Sequence, residues 1–476
     1  MILRNRTQLG ALFGKPAEGV SGSHSADSDE ARVHSASHSL AFAGLFLFTL
    51  LLYARPQELF PHVFGDLPLV KIIAVATLIA YTFGKFRAGE SFTIWPLEMK
   101  MLALIVLLGV GLIPIAVWPS RSIDLLTDQF FKVVSIFVLM VNLIDTRARL
   151  HSIMKLVVVC GVLVALVTIR SYFAGELDIT HVSTGVPGDT AGTYFANTNE
   201  LALMLDLLLP IAVVLAVSGK GLVRLSYGIC AALIGIAAVI TFSRGGFLGL
   251  ASIGCVLLWK LGRGKRMTMV LVSLLLVGVF AAAMPGGYSE RLFTILNPAN
   301  DPTNSAQERQ VLLGRAIEVA LHHPFIGIGI GNFNEYSSNG KVAHNSYIEI
   351  AAELGWSGLV IYMVFLIAPF RWLRRIEHGK SAGSAFVKRD GARERELFYL
   401  SVGLQAMMVA FMVCSFFASS QYSWHPYYIA GFSIALRRIY TAQRLGQRSA
   451  DGETAPILTS GALWKITRTP ARSSLT

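Results

Sequence analysis

The sequence predicts an all-α, polytopic integral membrane protein with about twelve transmembrane helices and one large polar loop containing short helices. Three observations predict it. Of 476 residues, 54% are hydrophobic and 15% charged, with a mean hydropathy of +0.57, whereas a soluble domain spends about 25% of its residues on charge. Apolar runs approaching the bilayer-spanning length of about 20 residues recur along the chain. Lysine and arginine gather on alternate connections between those runs. The formal net charge of +12 would suit nucleic acid if it formed one soluble patch. Basic residues held in short loops on one side of a bilayer account for it instead.

Residues 1–38 are rich in Ser, Gly, His and Ala and carry Arg4, Arg6, Lys15 and Arg32 without apolar periodicity, so they read as a disordered cytoplasmic tail. The first apolar run, from Leu40, comes too late for a cleaved signal peptide, and no small-residue cleavage site follows it. Candidate spans lie at 40–54, 67–84, 100–118, 125–144, 152–173, 198–218, 225–242, 246–260, 268–284, 354–371, 397–418 and 423–436. The tenth follows an amphipathic lead-in and the last is short. The expected organisation is a tail over 1–38, nine spans over 39–284, a catalytic loop over 285–345, a lead-in helix and three spans over 346–440, and a cytoplasmic tail over 441–476. Cys160, Cys230, Cys255 and Cys414 all fall in apolar runs, so neither a disulfide framework nor a zinc site is indicated.

With the N-terminus inside, the cytoplasmic connections collect Lys85 and Arg87, Arg147 and Arg149, Lys220 and Arg224, Lys260 to Arg266, Arg371 to Arg395, and the tail from Arg437. Ser171 to Asn199 and Ser419 to Pro426 contain no Lys or Arg. This bias puts both termini in the cytoplasm and the loop before His344 outside, which in a bacterium is the periplasmic face of the inner membrane.

That loop holds His322-His323-Pro324, a glycine ladder from Gly327 through Gly329 and Gly331 to Phe333, and His344-Asn345-Ser346-Tyr347. Ser346 with Glu349 reads as a capping box, which starts a helix there and leaves His344 ahead of its N-terminus. The positive helix end opposes protonation, and a neutral imidazole can accept a proton from an attacking hydroxyl. Ser305 with Glu308 reads as a second capping box. It opens a helix over 306–322 with Leu312, Ala316, Val319 and Ala320 on its apolar face and Pro324 closing it. On that helix Arg315 is either a ligand or a surface partner of Glu318, and Arg291 and Arg309 share the plainer alternative.

Arg244 lies at the outer end of a span, before Gly245 and Gly246, which allow a tight turn. An arginine near the bilayer needs a reason, and snorkelling to lipid headgroups is one. Asn199 and Glu200 open another span, where they either bind sugar hydroxyls or cap the helix. The ladder follows no strand of a βαβ unit, so it is no dinucleotide fingerprint. Its glycines suit close backbone approach to a ligand or a neighbouring helix. Glu353, nine residues past His344, falls on the opposite side of one straight helix and reads as structural or orienting. Lys71, Lys132 and Asp206 are mid-span charges such as a transporter carries, but no internal repeat accompanies them.

In order and placement, the SRGG turn at 243–246, the Arg315 helix ending in His323-Pro324, the GIGIGNF run at 327–333, and His344-Asn345-Ser346-Tyr347 leading to Glu353-Leu354-Gly355 closely resemble the O-antigen ligase and polymerase family. The resemblance covers about residues 190–372, and the outer spans match only in hydropathy. It implies a metal-independent, inverting glycosyltransferase without cofactors. The donor would be a glycan on undecaprenyl diphosphate at the periplasmic face, and the acceptor a hydroxyl of the lipid A core or of a growing glycan, amid membrane lipids. Carried over residue by residue, Arg244 and Arg315 match the family's diphosphate-binding arginines and His344 its essential histidine. Asn199, Asn345 and Tyr347 join the arginines as expected substrate contacts, with Gly245, Gly246, Gly329, Gly331 and Glu353 structural or orienting. Arginine suits the task because its charged fork fits phosphate oxygens without a metal. A ligase is expected first. A polymerase of the same family, or a lipid or polysaccharide transporter, is the alternative. The lack of a large soluble domain after the last span argues against the family's protein-glycosylating members.

Overall fold

The computed structural model describes residues 23–56, 68–174, 198–262, 267, 305–337, 340–379 and 391–450. Among the described residues there are helices and turns and no strand. In chain order the helices are α1 (Ser23–Ala54), α2 (Leu69–Arg87), α3 (Leu97–Gly111) and α4 (Pro119–Asp124), which runs through a π-helical turn (Leu125–Phe130) into α5 (Phe131–Leu143). Then come α6 (Arg147–Phe173), α7 (Thr198–Ser218), α8 (Gly221–Ile240), α9 (Arg244–Leu261), α10 (Ser305–His322), α11 (Phe333–Tyr336), α12 (Ser346–Gly379), α13 (Gly391–Cys414) and α14 (His425–Ala450).

Eight helices among the described residues are long and apolar enough to cross a membrane, against the twelve or so expected from apolar runs alone. The difference has identifiable sources. The apolar part of α1 is the shorter stretch His38–Ala54. The α5 helix has 13 residues and reaches span length only through the π-helical turn and α4. The α14 helix turns polar from Arg437 onward. The expected ninth span at 268–284 lies outside the described residues, as do 1–22, 268–304 and 451–476.

Small residues set how closely the helices pack, as apolar solvent gives little other drive for association. A methyl on Gly161 of α6 would sit 2.7 Å from Leu208 of α7, and one on Gly403 of α13 would sit 2.8 Å from Val214 of α7. The α7 helix thereby packs closely against both α6 and α13. The α9 helix packs on α7 and α13, while α12 packs on α3, α10, α13 and α14.

Alternating chain direction sorts the charges. At one end Arg147 contacts Glu396, Lys260 contacts Glu377, and Arg438 donates to the Val141 carbonyl at 2.6 Å. At the other end lie the C-termini of α1 and α13, the N-termini of α2, α7, α9, α12 and α14, and the glycine ladder. The α12 helix breaks at Gly355 (φ 73°, ψ 179°), which separates the expected lead-in from the long apolar helix. A side chain there would strike Phe325, 2.7 Å from its carbonyl. The apolar face of α10 packs as its period predicts: Ala316, Val319 and Ala320 are buried with Ile328, Phe333, Ala343, Ala351 and Ala352.

Candidate active site

The ladder is a strap between two parts of the bundle. The Ile328 and Gly329 amides donate to the Ala352 and Glu353 carbonyls at 3.0 Å each, and the Val117 amide donates to the Ile328 carbonyl at 3.2 Å. Gly327, Gly329 and Gly331 have φ of 67°, 102° and 73°. A methyl on Gly329 would fall 2.5 Å from the Ala116 Cβ, so its close approach is to protein. Asn332 completes the strap: its Oδ1 accepts from the Trp118 amide at 2.7 Å and its Nδ2 donates to the Ser122 hydroxyl at 2.8 Å. Glu353 is buried, and its Oε1 accepts from the Phe333 amide at 3.1 Å.

The strap delivers the chain to His344, a non-glycine residue at φ 52°. Left-handed backbone of this kind costs roughly 1–2 kcal/mol and persists only where surroundings impose it. Asn345 imposes part of it by capping α12, its Oδ1 accepting from the amides of Tyr347 and Ile348 at 3.0 Å each. The cap expected of Ser346 is therefore one residue earlier. Ser346 faces the segment after α13 instead: its hydroxyl donates to the Ala418 carbonyl at 2.7 Å and accepts from the Ser420 amide at 2.8 Å. Glu349 reaches past the cap to the Ala343 amide at 2.8 Å, and also accepts from Gln421 at 2.8 Å and from the Ser419 hydroxyl.

The His344 imidazole is held neutral, its pKa lowered to about 4. Burial is the main cause, and Arg309 and Lys341 add repulsion that Glu308 partly offsets. The helix end alone predicts a neutral ring. Burial and two cations supply it.

Arg244 opens α9 from a second turn. Ser243 caps that helix, its Oγ accepting from the Gly246 amide at 3.1 Å and donating to Asn199 Oδ1 at 2.8 Å. Asn199 thus braces the arginine turn. Gly246 sits against Ala202, and Gly245 against Phe417. The two turns meet on one short segment. Cys414 donates to the Gly245 carbonyl at 3.5 Å, Ser415 accepts the Ser346 amide at 2.9 Å, and Phe416 accepts from Asn345 Nδ2 at 3.3 Å. Tyr347 also turns inward, donating to the Met412 carbonyl at 2.7 Å with its ring 4.7 Å from Phe416.

Arg315 is placed differently. Its side chain is 51% exposed and pairs with Glu318 at 3.0 Å. Sequence reasoning missed Asn332 and the three-donor role of Glu349. The Ser419–Gln421 run that carries these contacts is marked in the sequence only as a polar run between two apolar helices.

Apolar helices of spanning length, with a neutral histidine and an arginine mounted together beyond their ends, define a multi-pass membrane protein with a polar site at one end of its bundle. Residues 229–363, the segment that carries Arg244, Arg315, the ladder and His344, match the family model described as O-antigen ligase. No curated protein matches the chain. Among solved structures, a chain described under "Structural coordination of polymerization and crosslinking by a peptidoglycan synthase complex" is similar at 17% identity and a TM-score of 0.38. The match covers 72% of this chain and 96% of that one, a likeness too remote to carry weight.

Proposed function

We propose that the protein is a metal-independent, inverting glycosyltransferase of the O-antigen ligase type. It moves a glycan from undecaprenyl diphosphate to an acceptor hydroxyl of the lipid A core, at the periplasmic face of the inner membrane. The observation that carries this reading is the shared mounting of the His344 and Arg244 turns on residues 414–417, which sets a neutral base and a fixed cation in one frame.

In this reading the acceptor hydroxyl gives its proton to the His344 imidazole as its oxygen attacks the anomeric carbon. The bond from that carbon to the phosphate oxygen breaks, and its electron pair leaves with the diphosphate. Attack from the face opposite the leaving group inverts the centre. A positioned base contributes about 10²- to 10⁴-fold. Arg244 meets the growing charge on the diphosphate. Arg315 joins it by exchanging Glu318 for phosphate, a cheap exchange because an exposed pair of this spacing is worth only about 0.2–0.5 kcal/mol.

Lipopolysaccharide electrophoresis of a deletion strain tests the reading. Loss of attached polysaccharide supports a ligase, a single attached repeat makes the chain a polymerase, and an unchanged pattern removes both for that glycan.

A further inference from the structure

A cavity of about 710 Å³ opens at the same end of the bundle, between the helices that carry Lys71 and Lys132 and the segment after α13. Its size falls within the range of about 300–1,000 Å³ usual for small-ligand sites. Neither Arg244 nor Arg315 nor His344 lines it, so it is separate from the diphosphate and base positions. It nevertheless borders the base. Val342 and Glu349 are in its wall, and Glu349 holds the amide of Ala343, the residue before His344.

Two features of the wall point to a ligand. On one side Lys71 and Lys132 share the single carboxylate of Asp128, at 3.3 and 3.4 Å, so two cations face one anion there, while Arg55, Glu200, Glu349 and Glu353 line the rest of the space. The π-helical turn Leu125–Phe130 carries Asp128 toward this space, and such widened turns recur where a helix is shaped around a function. On the other side Glu353, Gln421 and Tyr422 are 2%, 1% and 6% exposed. Gln421 Oε1 makes no hydrogen bond within the protein, and the Tyr422 hydroxyl faces the Glu353 carboxylate. A buried oxygen left without a partner calls for a ligand or water to complete it.

We infer that this cavity binds the acceptor saccharide, and that the saccharide it selects carries an anionic substituent. Sugar hydroxyls meet Gln421 Oε1 and the Glu353–Tyr422 pair, and the anion lies against Lys71 and Lys132. The assignment to the acceptor rests on the proposed transferase reading, in which the donor diphosphate takes the arginine side of residues 414–417. The His344 turn lies between the two.

Direct binding to the full chain in lipid nanodiscs tests this without transfer, with glucose, glucose 6-phosphate and glucuronate as probes. Glucose 6-phosphate or glucuronate is expected to bind at least about fivefold more tightly than glucose, because a charge pair in a partly desolvated wall exceeds a rim contact. The sugar that binds more tightly distinguishes a phosphorylated from a carboxylated acceptor. Lys71→Gln with Lys132→Gln should abolish the preference and leave glucose binding unchanged, and Tyr422→Phe should weaken all three. Equal binding of the three sugars to the wild-type chain overturns the proposal, as does a preference that survives both lysine substitutions. If binding behaves as expected but the chain transfers no glycan, the transferase reading fails and the cavity assignment to an anionic sugar stands. If the chain transfers glycan but shows no anion preference, the cavity assignment fails and the transferase reading stands.

Discussion

Glu349 accepts the backbone amide of Ala343 at 2.8 Å, so a buried carboxylate fixes the residue directly before His344. The same carboxylate takes hydrogen bonds from Gln421 and Ser419. Glu349→Gln keeps the shape but turns one acceptor oxygen into a donor facing donors. A loss of about 1–3 kcal/mol in stability is expected from one such mismatch, with transfer falling further because the His344 turn loosens. Thermal unfolding and transfer on the same preparation check this. Unchanged values in both would show that the carboxylate does not hold the turn.

The neutral state of His344 sets a pH dependence. Its folded pKa of about 4 lies below the ordinary 6.5, so the unfolded chain takes up the proton first as pH falls. Its contribution to stability is complete above 6.5 and is lost between 6.5 and about 4. Transfer limited by this base should stay level from pH 8 to about 5 and drop by half near 4. Arg309→Gln removes a repelling charge, which should move the acid limb upward. A wild-type limb near 6.5 would contradict a buried base.

In the proposed reaction the base and the cation act at different steps. His344→Ala should cut transfer by about 10²-fold or more and leave binding of undecaprenyl diphosphate largely intact. Arg244→Ala should reduce both, and Arg244→Lys should restore only part, since lysine lacks the planar fork. Binding of the carrier lipid to purified variants, measured beside transfer, separates the roles. If His344→Ala loses binding as badly as Arg244→Ala, His344 is a donor ligand or a structural residue.

Gly329 and Gly340 give a matched pair for the strap. Both have positive φ, but a methyl on Gly329 meets Ala116 at 2.5 Å and one on Gly340 meets nothing within 4 Å. Gly340→Ala carries only the backbone cost of about 1–2 kcal/mol. Gly329→Ala adds overpacking of about 1–3 kcal/mol. Thermal unfolding should rank them in that order, and equal losses would remove the close approach as the cause.

The cluster of Arg147, Lys260 and Arg438 at the end opposite the His344 turn implies a topology. In a chain freed of its own cysteines, Leu321→Cys, exposed on α10, should react with a membrane-impermeant thiol reagent in spheroplasts, and Arg395→Cys on α13 should not. The reverse pattern would put the site in the cytoplasm and remove a periplasmic donor.

What the sequence made legible was whatever a local period or a steric demand writes into neighbouring residues. The buried face of α10 followed from Leu312, Ala316, Val319 and Ala320, and Gly355 fell where the lead-in gives way to the long apolar helix. The cap of α12 was not legible. Asn345 and Ser346 both suit that position, and the choice is made by Ser415, Ala418 and Ser420, distant in sequence. The partners of the glycine ladder, at 116–122 and 352–353, are hidden for the same reason. The cavity draws its wall from α2, the π-helical turn, α12 and the segment after α13, so no single stretch announces it.

The segment 414–417 carries Gly245 on Cys414 and Phe417, and Ser346 and Asn345 on Ser415 and Phe416. Thermal displacement of the end of α13 therefore moves the imidazole and the guanidinium turns together. Such motion is common to both and cancels in the distance between them, as vibration cancels between two instruments bolted to one bench. The chain can flex at this end while the separation of the His344 and Arg244 turns stays constant, which is what the proposed reaction asks of a base and a leaving-group cation.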